Sequence, residues 1–298
     1  QSMNVSEIKI PVPWGHIAAK AWGVPTNSLI LCVHGMQDNS ASFDKLIPLL
    51  PDHYYYVCID LPGHGLSSHF PSGLLLDWLN YVLACHRVIV RLASSKPIIW
   101  LGHSLGGQLG TYYAAIYPHL VDKLILLDAV CPRKVKLEDT LDKVRDILSN
   151  QFTLEQKLQD PNKKQPVYSK QQVLDKLKQR LLGNEITDEA AEILFSRAVT
   201  PRDDGFVFNF DQRLKNKLYL VMTEDQQHNI VSKIQCQTLC ILSQDSFDRF
   251  WIVNEMYIGT YYHFTQHPKF LIEMIDCGHD MELTDPEKLV GVICDFLD

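Results

Sequence analysis

No stretch of this 298-residue chain approaches the roughly 18 consecutive apolar residues that a membrane-spanning helix requires. Nor is there an excess of basic charge. The chain carries 28 Lys and Arg against 35 Asp and Glu, a formal net charge of −7, with no basic run. That balance argues against a nucleic-acid partner and against stable membrane insertion. No CxxC pair occurs among the eight cysteines, and Cys236 and Cys240 have no histidine cluster beside them to form a zinc site. Several cysteines sit inside apolar runs (LILCVHG, YYYVCID, QTLCILS), the expectation for buried reduced thiols. No metal or organic cofactor is implied. Repeats and low-complexity tracts are also missing. Gln1-Ser2-Met3 has the look of a cleavage remnant and is set aside from fold reasoning. The residues after it lack the apolar stretch of a secretory signal, so an intracellular, cytoplasmic location is expected. The final CDFLD carries no peroxisomal signal, although a peroxisomal or vesicular location stays open.

What is present is ordinary for a globular enzyme: 46% hydrophobic and 21% charged residues, enough to bury a large core. Short apolar runs alternate with helical patterns, the signature of a mostly parallel sheet with helices on both faces, an α/β fold. Eight runs read as strands: EIKIPV, HIAAKAW, SLILCVHG, YYYVCIDL, PIIWLGHS, DKLILLDAV, QTLCILS and KFLIEMID. Helices are expected over Ala41–Leu50, Leu75–Ala93, Leu105–Tyr117 and Pro286–Leu297. Between Pro132 and Thr223 the composition turns charged and the period helical, with no convincing strand. This predicts a core of residues 4–131 and 224–298 and an inserted helical cap, residues 132–223. The cap is expected over the carboxyl edge of the sheet, where such folds bind ligands.

The strongest chemical signal is Gly102-His103-Ser104-Leu105-Gly106, a G-x-S-x-G with a strand before it and a helix after it. Such a turn projects the Ser104 hydroxyl at a helix N-terminus. A serine hydroxyl is a weak nucleophile without a base. Of twelve histidines, His279 stands after the last strand, where this chain order places the base. His103 beside the serine is expected to pack. His263 and His267 precede the last strand and read as surface or core residues. Two backbone N–H groups must hold the developing oxyanion, and Leu105 and Met36 (in His34-Gly35-Met36-Gln37) are the candidates. Asp60-Leu61-Pro62-Gly63-His64-Gly65 reads as a structural turn, not a second catalytic pair. For the acid that orients the imidazole, two strand ends compete: Asp128 after LILL, and Asp245 after QTLCILS, with Asp248 third. Phe247, Phe250 and Trp251 are either pocket walls or plain core.

With VPWGHIAAKAWG, HGMQDNSASFDKLIPLLP, DLPGHGLSSH, GHSLGG, VDKLILLD and Asp211-Gln212-Arg213-Leu214 together, the chain resembles an α/β-hydrolase with a helical cap. Within that superfamily it is most similar to the serine hydrolase-like proteins of animals. The resemblance implies a Ser-His-Asp hydrolase. The superfamily pattern usually sets the acid as Gly-x-x-Asp after the penultimate strand. The matching quartet here is Ser243-Gln244-Asp245-Ser246, with serine in the expected aspartate position. Haloalkane dehalogenases place the acid at the earlier strand end, which corresponds to Asp128. They and epoxide hydrolases use an aspartate nucleophile where this chain has Ser104, and a serine suits acyl transfer instead. The expectation is a carboxylesterase, thioesterase or lipase-like enzyme acting on a small-molecule ester, of an apolar acyl group by preference. A non-catalytic small-molecule sensor on the same fold is the alternative, and an interaction scaffold using the charged cap a third.

Overall fold

A computed structural model describes residues 3–216, 218, 220–251 and 255–298, with side chains for all of these but 255–260. Ten strands follow in chain order: β1 (Val5–Val12), β2 (Gly15–Trp22), β3 (Ser28–Val33), β4 (Tyr54–Ile59), β5 (Ile98–His103), β6 (Val121–Leu127), β7 (Val199–Arg202), β8 (Gly205–Phe208), β9 (Gln237–Ser243) and β10 (Phe270–Ile275). Eight form one sheet in the order β1-β2-β4-β3-β5-β6-β9-β10. β2 pairs antiparallel with both β1 and β4, and the remaining neighbours pair in parallel.

The interior strands are continuous apolar runs because both faces are covered. Leu31 and Val57 face one apolar cluster with Trp100, Leu109 and Val231. Cys32 and Tyr56, one residue on or back, face another with Phe43, Leu289 and Ile293. Alternation along the pleat therefore divides a single run between two cores. The helices Trp78–Leu92 and Leu105–Ile116 cover the first face and Glu287–Leu297 the second. Among the described residues no disulfide joins the eight cysteines, seven of which are buried. Among the described residues no helix is long and apolar enough to cross a membrane.

Three local expectations change. Ala41–Leu50 is not an α-helix but two 3₁₀ turns, Ser40–Phe43 and Ile47–Leu49. Pro48 lacks the N–H that a continuous helix would need there. The helix expected from Leu75 begins at Trp78, where Asp77 accepts from the Leu79 N–H as its cap. The stretch between β6 and β9, read as strandless, contains the hairpin β7–β8 besides its helices Thr140–Leu158, Lys170–Lys178 and Asp188–Ala198. The Asp203-Asp204-Gly205 turn between β-branched and aromatic residues is the signal that marks it.

Candidate active site

Ser104 stands between β5 and the helix Leu105–Ile116 with φ +50° and ψ −115°. A non-glycine residue in that region carries strain of about 1–3 kcal/mol. The flanking glycines are dictated by contact. A Cβ on Gly102 would fall 2.4 Å from the Gly106 carbonyl oxygen, and one on Gly106 only 2.0 Å from that of Val33. The turn therefore presses against the end of β3, which brings the following loop to the serine. Gly35, Met36, Ser104 and Leu105 line one cavity of about 670 Å³, and His279 and Asp128 line it too. Among the described residues this places every atom group of the expected nucleophile, base and oxyanion loop around a common space.

Asp128 is held by β9 as well as by its own strand. Its N–H donates to the Ile241 carbonyl at 2.7 Å, and one carboxylate oxygen accepts the Ser243 N–H at 3.0 Å. The other oxygen accepts from His279 Nδ1. A positive φ of +48° at Asp128 turns the carboxylate toward that imidazole. The other two carboxylates point elsewhere. Asp245 pairs with Arg249 at 2.8 Å on the surface, and Asp248 accepts from Gln244 Nε2 at 2.9 Å. Sequence left Asp128 and Asp245 equal, and the structure sets only Asp128 against His279.

His103 is fully buried behind the serine. Its Nε2 donates to the His279 carbonyl at 2.9 Å, and its Nδ1 lies 3.0 Å from Glu282 Oε1. Burial alone would depress it, but the facing Glu282 carboxylate prevails and raises it to about 10. His34, behind the Met36 loop, behaves oppositely: burial lowers it to about 4, so it is neutral. It accepts the Leu61 N–H and donates to the Gly35 carbonyl, which braces the loop. Asp60 and His64 do not line the cavity. Asp60 accepts the Ser40 and Leu66 N–H groups and pairs with Arg197, while burial lowers His64 to about 3. His263 contacts His228, and His267 stacks on Phe270, both away from Ser104.

The cavity wall is mixed. Val130, Leu177, Phe208, Phe210, Phe250 and Trp251 form its apolar part, so two of the three aromatic candidates reach it, and Gln108, Arg133, Lys176 and Lys215 are among its polar residues. Phe247 instead packs on Tyr261. Among the described residues one group of metal-ligating side chains converges, Asp38, His103 and Glu282. Asp38 is already paired with Arg180 and His103 with Glu282, so the charges there are met by the chain itself. Arg180 is the site residue that sequence missed. Nothing in its local pattern announces a contact with residues 100 and 142 positions away.

Comparison with known proteins gives the same arrangement a lineage. The model of the alpha/beta hydrolase fold family matches residues 28–286. A serine hydrolase-like protein of Danio rerio is 32% identical over 98% of this chain and 88% of its own length. Serine hydrolase-like protein 2 of Homo sapiens is 35% identical over 98% of this chain and 94% of its own. Among solved structures, a hypothetical protein of Pseudomonas aeruginosa PAO1 superposes with a TM-score of 0.86 at 26% identity, covering 98% of this chain and 99% of that one. The family model over residues 28–286 and the near full-length identities to those relatives make the chain a member of the α/β-hydrolase family, on its serine hydrolase-like branch.

Proposed function

We propose that the protein is a serine hydrolase that cleaves an ester-like bond through Ser104, His279 and Asp128. The observation that carries this is the Asp128 carboxylate against His279 Nδ1, on a cavity that also holds the Ser104 elbow. With Nδ1 donating to Asp128, the other ring nitrogen is the acceptor that a serine proton requires. Ser104 Oγ attacks the acyl carbon as His279 takes the proton, and the Met36 and Leu105 N–H groups hold the oxyanion. His279 then protonates the leaving group. Water, deprotonated by His279, frees the acyl-enzyme. The base contributes about 10²–10⁴-fold and each oxyanion donor about 10²–10³-fold.

The apolar part of the wall and a volume of about 670 Å³ suit an apolar acyl group on an ester or thioester. Residues 132–223 serve as a cap: Leu177, Phe208 and Phe210 line the same cavity as the serine and would keep water from the acyl chain. The test combines a fluorophosphonate probe with short-chain p-nitrophenyl esters. Wild-type protein is labelled on Ser104 and turns over ester. Ser104→Ala abolishes labelling and lowers kcat by about 10³-fold or more with its Tm unchanged. A silent Ser104 at neutral pH would defeat the proposal and leave a small-molecule binding protein on this fold.

A further inference from the structure

The segment between β6 and β9 brings two arginines to the cavity, Arg133 and Arg180, and Arg180 is the one that pairs with carboxylates on two loops of the site. Arg180 lies in a tight turn after the helix Lys170–Lys178. Its N–H donates to the Asn184 carbonyl at 3.0 Å, and the Gly183 N–H donates back to the Arg180 carbonyl at 3.0 Å. The side chain is 13% exposed. Arg180 Nη2 lies 2.6 Å from Asp38 Oδ1 and 2.8 Å from Asp280 Oδ1, and Nε lies 3.2 Å from the same Asp280 oxygen. The second Asp280 oxygen accepts from Asn184 Nδ2 at 3.1 Å. One turn thus grips two carboxylates, each only 2% exposed.

Those two carboxylates belong to the two loops that the chemistry needs in register. Asp38 closes the Met36 loop, its N–H donating to the Gly35 carbonyl at 3.2 Å. Asp280 is covalently next to His279. Burial alone would loosen the proton on Arg180, but Asp38 and Asp280 reverse that and keep it charged. Burial likewise would raise the Asp280 carboxyl, but Arg180, aided by His279 and His103, holds it below the ordinary range. His103 fastens the His279 carbonyl from the core side, whereas Arg180 fastens the next residue from the inserted side.

We propose that Arg180 is a positioning residue of the hydrolytic site: its forked contact with Asp38 and Asp280 sets the oxyanion loop against the histidine loop, so that the inserted segment completes a centre whose reacting groups all come from the sheet. The inference rests on the Ser104–His279–Asp128 assignment. A guanidinium suits the task because its planar fork can satisfy two acceptors at fixed angles, which an ammonium cannot do. Removing Arg180 leaves Asp38 and Asp280 as buried carboxylates without the cation that joins their two loops.

The test uses the full chain with p-nitrophenyl ester turnover, fluorophosphonate labelling rate and Tm, comparing Arg180→Met, Arg180→Lys and Asp38→Asn. Arg180→Met is expected to lower kcat by about 10- to 100-fold, the scale set by small misplacement of reacting groups, while KM changes little. Labelling by the fluorophosphonate slows in parallel. Arg180→Lys recovers only part of kcat. Should Arg180→Met not fold, Arg180→Lys and Asp38→Asn carry the same kcat and labelling comparison. If kcat and labelling rate stay at wild-type values while only KM or Tm moves, Arg180 merely anchors the inserted segment and the proposal is overturned. Turnover that persists in Ser104→Ala would show instead that the triad assignment has failed, and this inference would fall with it.

Discussion

Strands β3, β5 and β9 bury nearly every side chain, whereas Thr140–Leu158, the longest helix between β6 and β9, buries Gln151 and leaves Leu141, Leu148 and Phe152 more than half exposed. The two regions cohere by different forces. The sheet is held by apolar area removed from water, without direction and spread over many residues. The inserted segment has one small apolar cluster of its own, Ile186, Ala190, Ala191 and Leu194, which packs on Leu283. Beyond that it is tied down by buried guanidinium groups. Arg180 grips Asp38 and Asp280. Arg197 grips Asp60 at 2.8 Å. Arg213 pairs with Asp211 at 2.7 Å and donates to the carbonyls of Phe70 and Leu74. Directional contacts of this kind fix a geometry more sharply than they add net stability. The sheet makes the chemistry possible, and the arginines decide how the covering segment sits on it.

The sharpest way to break this division is to disturb the sheet side of the site. Asp128→Asn keeps an oxygen for the Ser243 N–H but offers His279 an amide, which enforces the wrong tautomer. Turnover should fall by about 10³- to 10⁴-fold with Tm little changed. Asp245→Asn, at the other strand end, should leave kcat/KM within about twofold, since Asp245 meets only Arg249 at the surface. The reverse ranking would move the acid to β9. A smaller effect is expected at the seam between the regions. Arg197→Met strands Asp60 in the core without its cation and should cost about 3–5 kcal/mol in denaturant unfolding. A loss below about 1 kcal/mol would mean that the arginine pairs do not hold the segment. The smallest effect belongs to the exposed helix. Leu148→Ala should change stability by no more than about 0.5 kcal/mol, against about 2–5 kcal/mol for Leu31→Ala inside β3. Equal losses at the two positions would erase the contrast.

The same division governs what the amino-acid sequence discloses. The interior sheet strands are legible, because a strand buried on both faces must be a run such as LILCV or TLCILS. The elbow is legible because Gly102 and Gly106 answer contacts made within a few residues and one neighbouring strand. His279 follows from chain order, and the structure sets it on the cavity of Ser104. The choice between Asp128 and Asp245 is not legible. It depends on the backbone turn at Asp128 and on a hydrogen bond from Ser243, on a strand more than a hundred residues later. The hairpin β7–β8 was hidden by its four-residue strands and by Pro201, although its turn carries a signal. Arg180 lies beyond local pattern altogether, being one cation among many in a charged stretch until the fold delivers Asp38 and Asp280 to it.

The bracket that β9 places on Asp128 bears on how such centres diversify. β6 and β9 are adjacent and run in register, Leu127 opposite Ile241, so their ends deliver side chains to nearly the same point. A carboxylate can migrate from one strand tip to its neighbour in descent while the imidazole stays where it is. The tip without the customary aspartate still braces its neighbour: Ser243 donates its N–H to Asp128 and its hydroxyl to the Cys277 carbonyl. A missing signature at the customary position therefore does not by itself mean a missing acid.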